Sequence, residues 1–297
     1  MHKTMPIKNV WTVDVGGSQI RAALVDGQGH MQPVQVESTA ASRSVAEVVA
    51  QLAAMMPPSV DAVSVAIPGF LDPARASILH SPNFPGWHNV AIRKLLRQRL
   101  LKPVTIINDA DAYLLGEYWR GAGQVCSHWV GLTLGTGVGG AVLIDGKLLS
   151  SAYGAAAELG HMVVDPQGAL CGCGARGCLE VCASATALQR LSGVTAEQLA
   201  QQAAQGDTAA LEHFERLGFN LGQAIASICQ IFSPHKVILG GRLSLAYPYF
   251  AESLQTTLAQ RLQNHPSRQT VVQVGDCIDT GGLLGAAYLA IHERSIK

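Results

Sequence analysis

Short apolar runs cut by glycine open the chain. Residues 10–15 are apolar up to Asp14 and stop at Gly16-Gly17; residues 20–25 form a second run that stops at Asp26-Gly27. Runs of this length between turn residues predict two strands of a hairpin. Residues 31–37 alternate and predict a third strand. Ser42 or Ser44 is placed to cap a helix reaching about Met56. Residues 62–67 are continuously apolar and predict a strand ending at Pro68-Gly69. A Pro/Gly/Asn-rich loop follows, then a helix over 90–101, a strand over 104–107 and a helix over 109–119. The pattern then restarts, with a strand over 129–134, a glycine turn and a strand over 141–144. Helices are predicted over 183–191, 195–205, 208–231, 244–263 and 283–293, and strands over 236–239 and 271–274. Both halves open with strand, glycine turn, strand. That predicts a duplicated α/β fold with a cleft between domains 1–120 and 121–297, the last helix being free to pack on the first domain.

Composition narrows the function. The 297 residues are 48% hydrophobic and only 14% charged, with zero formal net charge. No Lys/Arg run is present, so neither nucleic acid nor an anionic membrane surface is an expected partner. Residues 125–144 lack charge but hold five glycines with Ser127 and His128. They read as two buried strands around a turn rather than a membrane span. No charged segment followed by an apolar one opens the chain, so a cytoplasmic protein is expected.

The glycine turns carry the first candidate chemistry. Asp14-Val-Gly16-Gly17-Ser18 and Gly135-Thr136-Gly137-Val-Gly-Gly140 both follow a predicted strand. Backbone N–H groups in such turns form concavities for phosphate oxygens. Asp14, at a strand end, suits Mg2+ held through water. Gly240-Gly241 offers a third flat spot for an adenine or ribose. Two turns at equivalent places predict a nucleoside triphosphate gripped between the halves, and neither has P-loop spacing.

The second candidate is a metal knot. His161, Cys171, Cys173 and Cys178 make one complete tetrahedral zinc set. Gly172, Gly174 and Gly177 can adopt positive φ and so fold the loop back on itself. Four protein ligands leave no position for an activated water, so the zinc is expected to be structural. The other four cysteines, 126, 182, 229 and 277, read as small core residues. Glu158 and Glu180 flank the loop and mark the floor of a polar pocket.

Taken in order, Asp14-Val-Gly-Gly-Ser18, Asn108-Asp109-Ala, Leu134-Gly-Thr-Gly-Val-Gly-Gly140, Glu158-Leu-Gly-His161 and Cys171-Gly-Cys-Gly-Ala-Arg-Gly-Cys-Leu-Glu180 resemble the ROK family of repressors, open reading frames and kinases. The resemblance covers nearly the whole chain. It implies a duplicated actin-like, ribonuclease-H-like fold and ATP-dependent phosphorylation of a hexose, usually on its 6-hydroxyl. It implies Asp109 as general base. Gly69, Asn83 and Asn108 would lie at the sugar, with Glu158, His161 and Glu180 near its anomeric end. Glucose or a β-glucoside leads among the substrates, ahead of N-acetylmannosamine, N-acetylglucosamine, fructose and allose. A homodimer or homotetramer is also implied. Repressors of the family carry a DNA-binding segment ahead of the kinase-like part; only 13 residues precede Asp14, so the kinase branch is expected. Two positions depart from the common pattern: Ser18-Gln19 stands where Thr-Lys is frequent, and Asp111 where Asn is frequent. Read alone, Asp109 would serve as a helix N-cap and Asp111 as a first-turn acid suited to the helix dipole.

Overall fold

The structure, a computed structural model, describes residues 8–292. It forms two compact units. One uses the described residues up to Gln124, the segment Ser150–Ala156 and the chain from Thr280 onward; the other uses Val125–Leu149 and Ala157–Asp279.

In the first unit the glycine-cut runs become β1 (Asn9–Val15) and β2 (Gln19–Asp26), followed by β3 (Gln35–Ser38), α1 (Val45–Met55) and β4 (Ala62–Ile67). Next come β5 (Phe70–Leu71), β6 (Ile78–His80), β7 (His88–Val90), α2 (Ile92–Leu100), β8 (Val104–Asn108) and α3 (Asp109–Arg120). The main sheet runs β3-β2-β1-β4-β8. β1, β2 and β3 pair antiparallel, while β1, β4 and β8 pair in parallel. The third strand starts at Gln35 rather than 31, because Pro33 has no N–H to donate; Met31 makes only an isolated bridge to Val25. Ser44, not Ser42, caps α1 by accepting from the Glu47 N–H. The region expected as loop after Gly69 holds a small sheet, β5-β6-β7. Strands of two or three residues are too short to show a period. The helix expected from 90 starts at Ile92, since residues 88–90 pair with β6.

The second unit holds β9 (Trp129–Leu134), β10 (Val138–Ile144), β11 (Lys147–Leu148), α4 (Leu179–Ala183), α5 (Ala185–Ser192), α6 (Ala196–Ala204), α7 (Thr208–Phe232), β12 (Lys236–Gly240), α8 (Tyr247–Arg261) and β13 (Val271–Val274). Its sheet runs β11-β10-β9-β12-β13, antiparallel through β9 and parallel beyond. Each unit thus has the same five-strand order, and the fold is the duplicated, ribonuclease-H-like α/β arrangement of actin-like proteins. β10 starts three residues earlier than expected, because Gly139 and Gly140 pair with β9 despite their weak strand preference. Ser184 splits the helix expected over 183–191, capping α5 through the Ala187 N–H. The helix expected from 244 opens as a 3-10 turn, Arg242–Ala246, before α8.

The closing helix, α9 (Gly281–His292), belongs to the first unit and packs on α3. Its expected end at Glu293 lies outside the described residues. Glycines set this packing: a Cβ on Gly285 would run into the Ala112 carbonyl, and one on Gly116 into the Gly281 backbone. The first core gathers Trp11, Val13, Val63, Val65 and Ile106 with Phe84 and Trp87. The second packs α7 and α8 on the sheet through Phe214, Leu221, Ile225, Val237, Leu239 and Phe250. Among the described residues no helix is long and apolar enough to cross a membrane.

Candidate active site

Polar groups of the first unit collect at the carboxyl ends of its parallel strands, where ligands bind in open α/β sheets. Asp14 ends β1, Gly69 follows β4, and Asn108 ends β8. Asn108, rather than Asp109, caps α3: its Oδ1 accepts from the N–H groups of Ala110 (2.9 Å) and Asp111 (3.2 Å). Its Nδ2 donates to the Gly69 carbonyl at 3.2 Å, so these two expected sugar residues are joined. Gly69 has φ +125, and a Cβ there would strike His80 and Ser81. Asp109 follows the cap as the first helical residue, its Oδ1 accepting from Ala110 N–H at 3.0 Å. The side chain meets solvent, yet protein mass around it raises its pKa above that of an ordinary carboxylate. Asp14 is more enclosed. Burial first, and the Asp109 charge second, raise it to about 6, against the pull of Arg21 opposite it in β2.

The first glycine turn is tight and lies beside the sugar loop. Gly16 N–H donates to the Gln19 carbonyl at 2.9 Å, and Thr39 braces the turn by donating to the Gly16 carbonyl at 2.7 Å. A Cβ on Gly17 would lie 3.5 Å from the Asn83 Cβ and 3.8 Å from Arg43 Nη1. Asn83 is exposed, between the buried Ser81 and Phe84. Trp87 is core rather than a sugar platform: it is 1% exposed, packs at a tilt on the Phe84 ring and donates Nε1–H to the Arg43 carbonyl at 2.8 Å. Arg43 is the residue that sequence reasoning missed. It sits at φ +51, with its guanidinium 3.4 Å from the Asn83 carbonyl. No motif surrounds it, so only the chain's path over the glycine turn reveals it.

The second unit has its own polar assembly. Gly135 N–H closes onto the Gly137 carbonyl at 3.0 Å. The start of α5 braces this turn: Ala185 N–H donates to the Gly135 carbonyl (2.8 Å) and Thr186 Oγ1 to the Thr136 carbonyl (2.7 Å). The space where a Gly135 side chain would stand is open. Gly137 is bare because the Glu180 carboxylate occupies that room, accepting from Val138 N–H at 3.1 Å. Glu180, expected at the sugar, therefore has one oxygen committed to the glycine turn. The 3-10 turn Leu159–His161 lies on β10: a Cβ on Gly140 would meet Ala157 and Leu159, and one on Gly160 would meet Val138. That packing fixes Glu158 and His161, whose Oε2 and Nε2 are 4.0 Å apart. Gly241, at φ +74, lies against the end of β9, so its missing side chain serves packing as much as any ligand. Gly240 beside it is buried.

The metal set converges. One ligand atom each from His161, Cys171, Cys173 and Cys178 lie within 4.8 Å of one another. Cys171 Sγ is 3.6 Å from His161 Nδ1, and Cys173 Sγ is 3.6 Å from Cys178 Sγ. Sulfurs about 2.3 Å from a tetrahedral zinc stand about 3.75 Å apart, so the set fits that ion. Burial and the neighbouring thiols push Cys178 up to about 12, a crowding that a cation relieves. Gly174 and Gly177 take positive φ as expected, at +94 and +67; Gly172 does not. Isolated bridges Val163–Cys178 and Leu170–Arg176 close the knot. The imidazole presents Nδ1 to the Cys171 sulfur and Nε2 to the Glu158 carboxylate.

Comparison with known proteins shows what the whole chain is similar to. The glucokinase of Thermotoga maritima is 36% identical over 315 residues, covering 98% of this chain and 99% of the relative. An N-acetylmannosamine kinase of Escherichia coli O7:K1 is 33% identical over 95% of this chain and 98% of its own. A ROK family glucokinase structure from Streptomyces griseus, in complex with glucose and AMPPNP, superposes with TM-score 0.84 at 31% identity, covering 95% and 98% of the two chains. The family profile described as ROK family matches residues 10–293, nearly all of the sequence. The chain belongs to the ROK family.

Proposed function

We propose that this protein is an ATP-dependent kinase that transfers the γ-phosphoryl group to the 6-hydroxyl of glucose. The observation that carries the reading is the gathering of Asp14, the Gly16–Ser18 turn, Asn83, Asn108 and Asp109 at the strand ends of the first unit. Asn108 takes over the helix cap, which leaves the Asp109 carboxylate for chemistry. Its raised pKa makes it a better proton acceptor than a free aspartate. Asp109 removes the proton of the 6-hydroxyl as that oxygen bonds to the γ-phosphorus. The bond to the β,γ-bridging oxygen breaks, giving the sugar 6-phosphate and ADP. Backbone N–H groups of Gly16–Ser18 and Gly135–Gly137 hold phosphate oxygens, and Arg43 adds positive charge beside Gly17. Such preorganised positive groups are the main source of rate in phosphoryl transfer.

Asp14 holds the Mg2+ that accompanies ATP, an ion that draws charge from the phosphates. Gly69, Asn83 and Asn108 bind sugar hydroxyls, while Glu158, His161 and Glu180 serve the anomeric end. Gly240 and Gly241 flank the nucleoside. His161, Cys171, Cys173 and Cys178 hold a structural zinc that stiffens the segment carrying Glu158 and Glu180. The protein works as a dimer or tetramer, which its mass by light scattering tests.

The experiment is kcat/KM for glucose, N-acetylmannosamine, N-acetylglucosamine, fructose, allose and cellobiose with ATP. Glucose is expected to lead. A site built to bond hydroxyls discriminates strongly against sugars lacking them. The second reading is N-acetylmannosamine, favoured by the 33% identical relative. A tenfold advantage of that sugar over glucose would replace the glucose reading with it.

A further inference from the structure

The small sheet of the first unit brings two imidazoles together away from the cysteine knot. His80 in β6 and His88 in β7 are direct cross-strand partners. Both are exposed. Their rings stack with centroids 4.8 Å apart and planes 24° apart, and Nδ1 lies 3.3 Å from Nδ1. The Phe70 ring, from the neighbouring β5, lies 6.4 Å from that of His80. An exposed cross-strand position is well served by β-branched, aromatic or oppositely charged residues. Two imidazoles there repel whenever both are protonated; with a neutral ring the facing nitrogens can share a proton or a metal ion.

We propose that His80 and His88 form a binding site for a divalent transition ion of the Zn2+ class, distinct from the Cys171–Cys178 knot. Two nitrogens 3.3 Å apart subtend about 107° at an ion held about 2.05 Å from each, close to the tetrahedral angle. Imidazole nitrogens at that angle suit the tetrahedral ions Zn2+ and Co2+. Mg2+ and Ca2+ require oxygen donors and are excluded by the ligand type. Among the described residues no third His, Cys, Asp or Glu completes a ligand group around the pair. Water therefore fills the other positions, and the affinity belongs in the micromolar range, far below that of a four-ligand zinc knot.

Placement gives the site its meaning. His80 and His88 bracket residues 81–87, the loop that carries Asn83. An ion joining them ties β6 to β7 at the neck of that loop. Its consequence for the sugar rests on the role proposed for Asn83; the metal site itself does not.

The test uses the whole protein with its cysteine knot loaded. Zn2+ is titrated calorimetrically, and Co2+ is followed by visible absorption, in wild type, His80→Gln and His88→Gln. The wild type is expected to take one further ion per chain in the micromolar range. Each variant is expected to bind that ion roughly tenfold more weakly or worse, retaining the knot-bound ion. The further Co2+ should show four-coordinate visible bands without the near-ultraviolet thiolate band. The proposal is overturned if the wild type binds no further ion, if either variant matches it, or if the thiolate band grows with the further ion.

Discussion

Asp14 is set against its own fold. Its pKa of about 6 exceeds the reference 3.8. As pH rises, the unfolded chain loses this proton first, so stability falls between about pH 4 and pH 6. Above that window the protein carries a cost of order 2–3 kcal/mol from this one group. Asp14→Asn should therefore melt at a higher temperature than wild type at pH 7, and the gap should close near pH 4, while activity is lost with the Mg2+ ligand. Equal melting at pH 7 would show that the buried charge is not a burden. Asp109→Asn keeps shape but removes the proton acceptor. It should lower kcat roughly a hundredfold or more with a milder change in sugar KM; near-normal turnover would remove Asp109 from the base role. The places of these two aspartates at strand ends were legible in the sequence, because the apolar runs before them stop there. Arg43 was not. Its place depends on a left-handed backbone residue and on the Trp87 hydrogen bond, and neither leaves a pattern. Glu180 was legible as a carboxylate flanking the cysteine loop but not as the partner of Val138 N–H, which requires the glycine turn and α4 to be folded against each other.

Long periodic elements were legible to within a few residues, as with β4, β9, α7 and β13. The misses share one cause: tertiary pairing overrides weak local preference. β10 recruits two glycines because β9 offers a partner, and β5, β6 and β7 exist only as a set. The cysteine knot was legible as a ligand list; its dependence on β10 was not. Gly140 and Gly160 are bare so that the 3-10 turn carrying His161 can lie on the strand. Loss of the metal should thus loosen Glu158 and His161 together. Cys173→Ser is expected to lose zinc by elemental analysis and to weaken sugar binding, with a smaller effect on ATP binding. A variant that lost zinc yet bound glucose like wild type would separate the knot from the pocket.

Across the whole molecule, duplication was visible as a repeated strand–turn–strand opening. The exchange of chain between the units was less so, because helix α9 carries no mark of which sheet it will join. That exchange has a consequence for how the protein is born. The first unit borrows its last helix from the far end of the chain, and Gly281 and Gly285 seat it against α3 at backbone distance. A ribosome delivers the N-terminal sheet first but withholds the piece that covers it until residues 280–292 have been made. Domains generally fold in the order they emerge; here the second unit, whose last segment ends at Asp279, should acquire protease resistance earlier. Stalled chains released at successive lengths and challenged with protease should show the second unit protected before the first. Protection of the first unit in chains lacking residues 280 onward would show that the sheet does not wait for its helix.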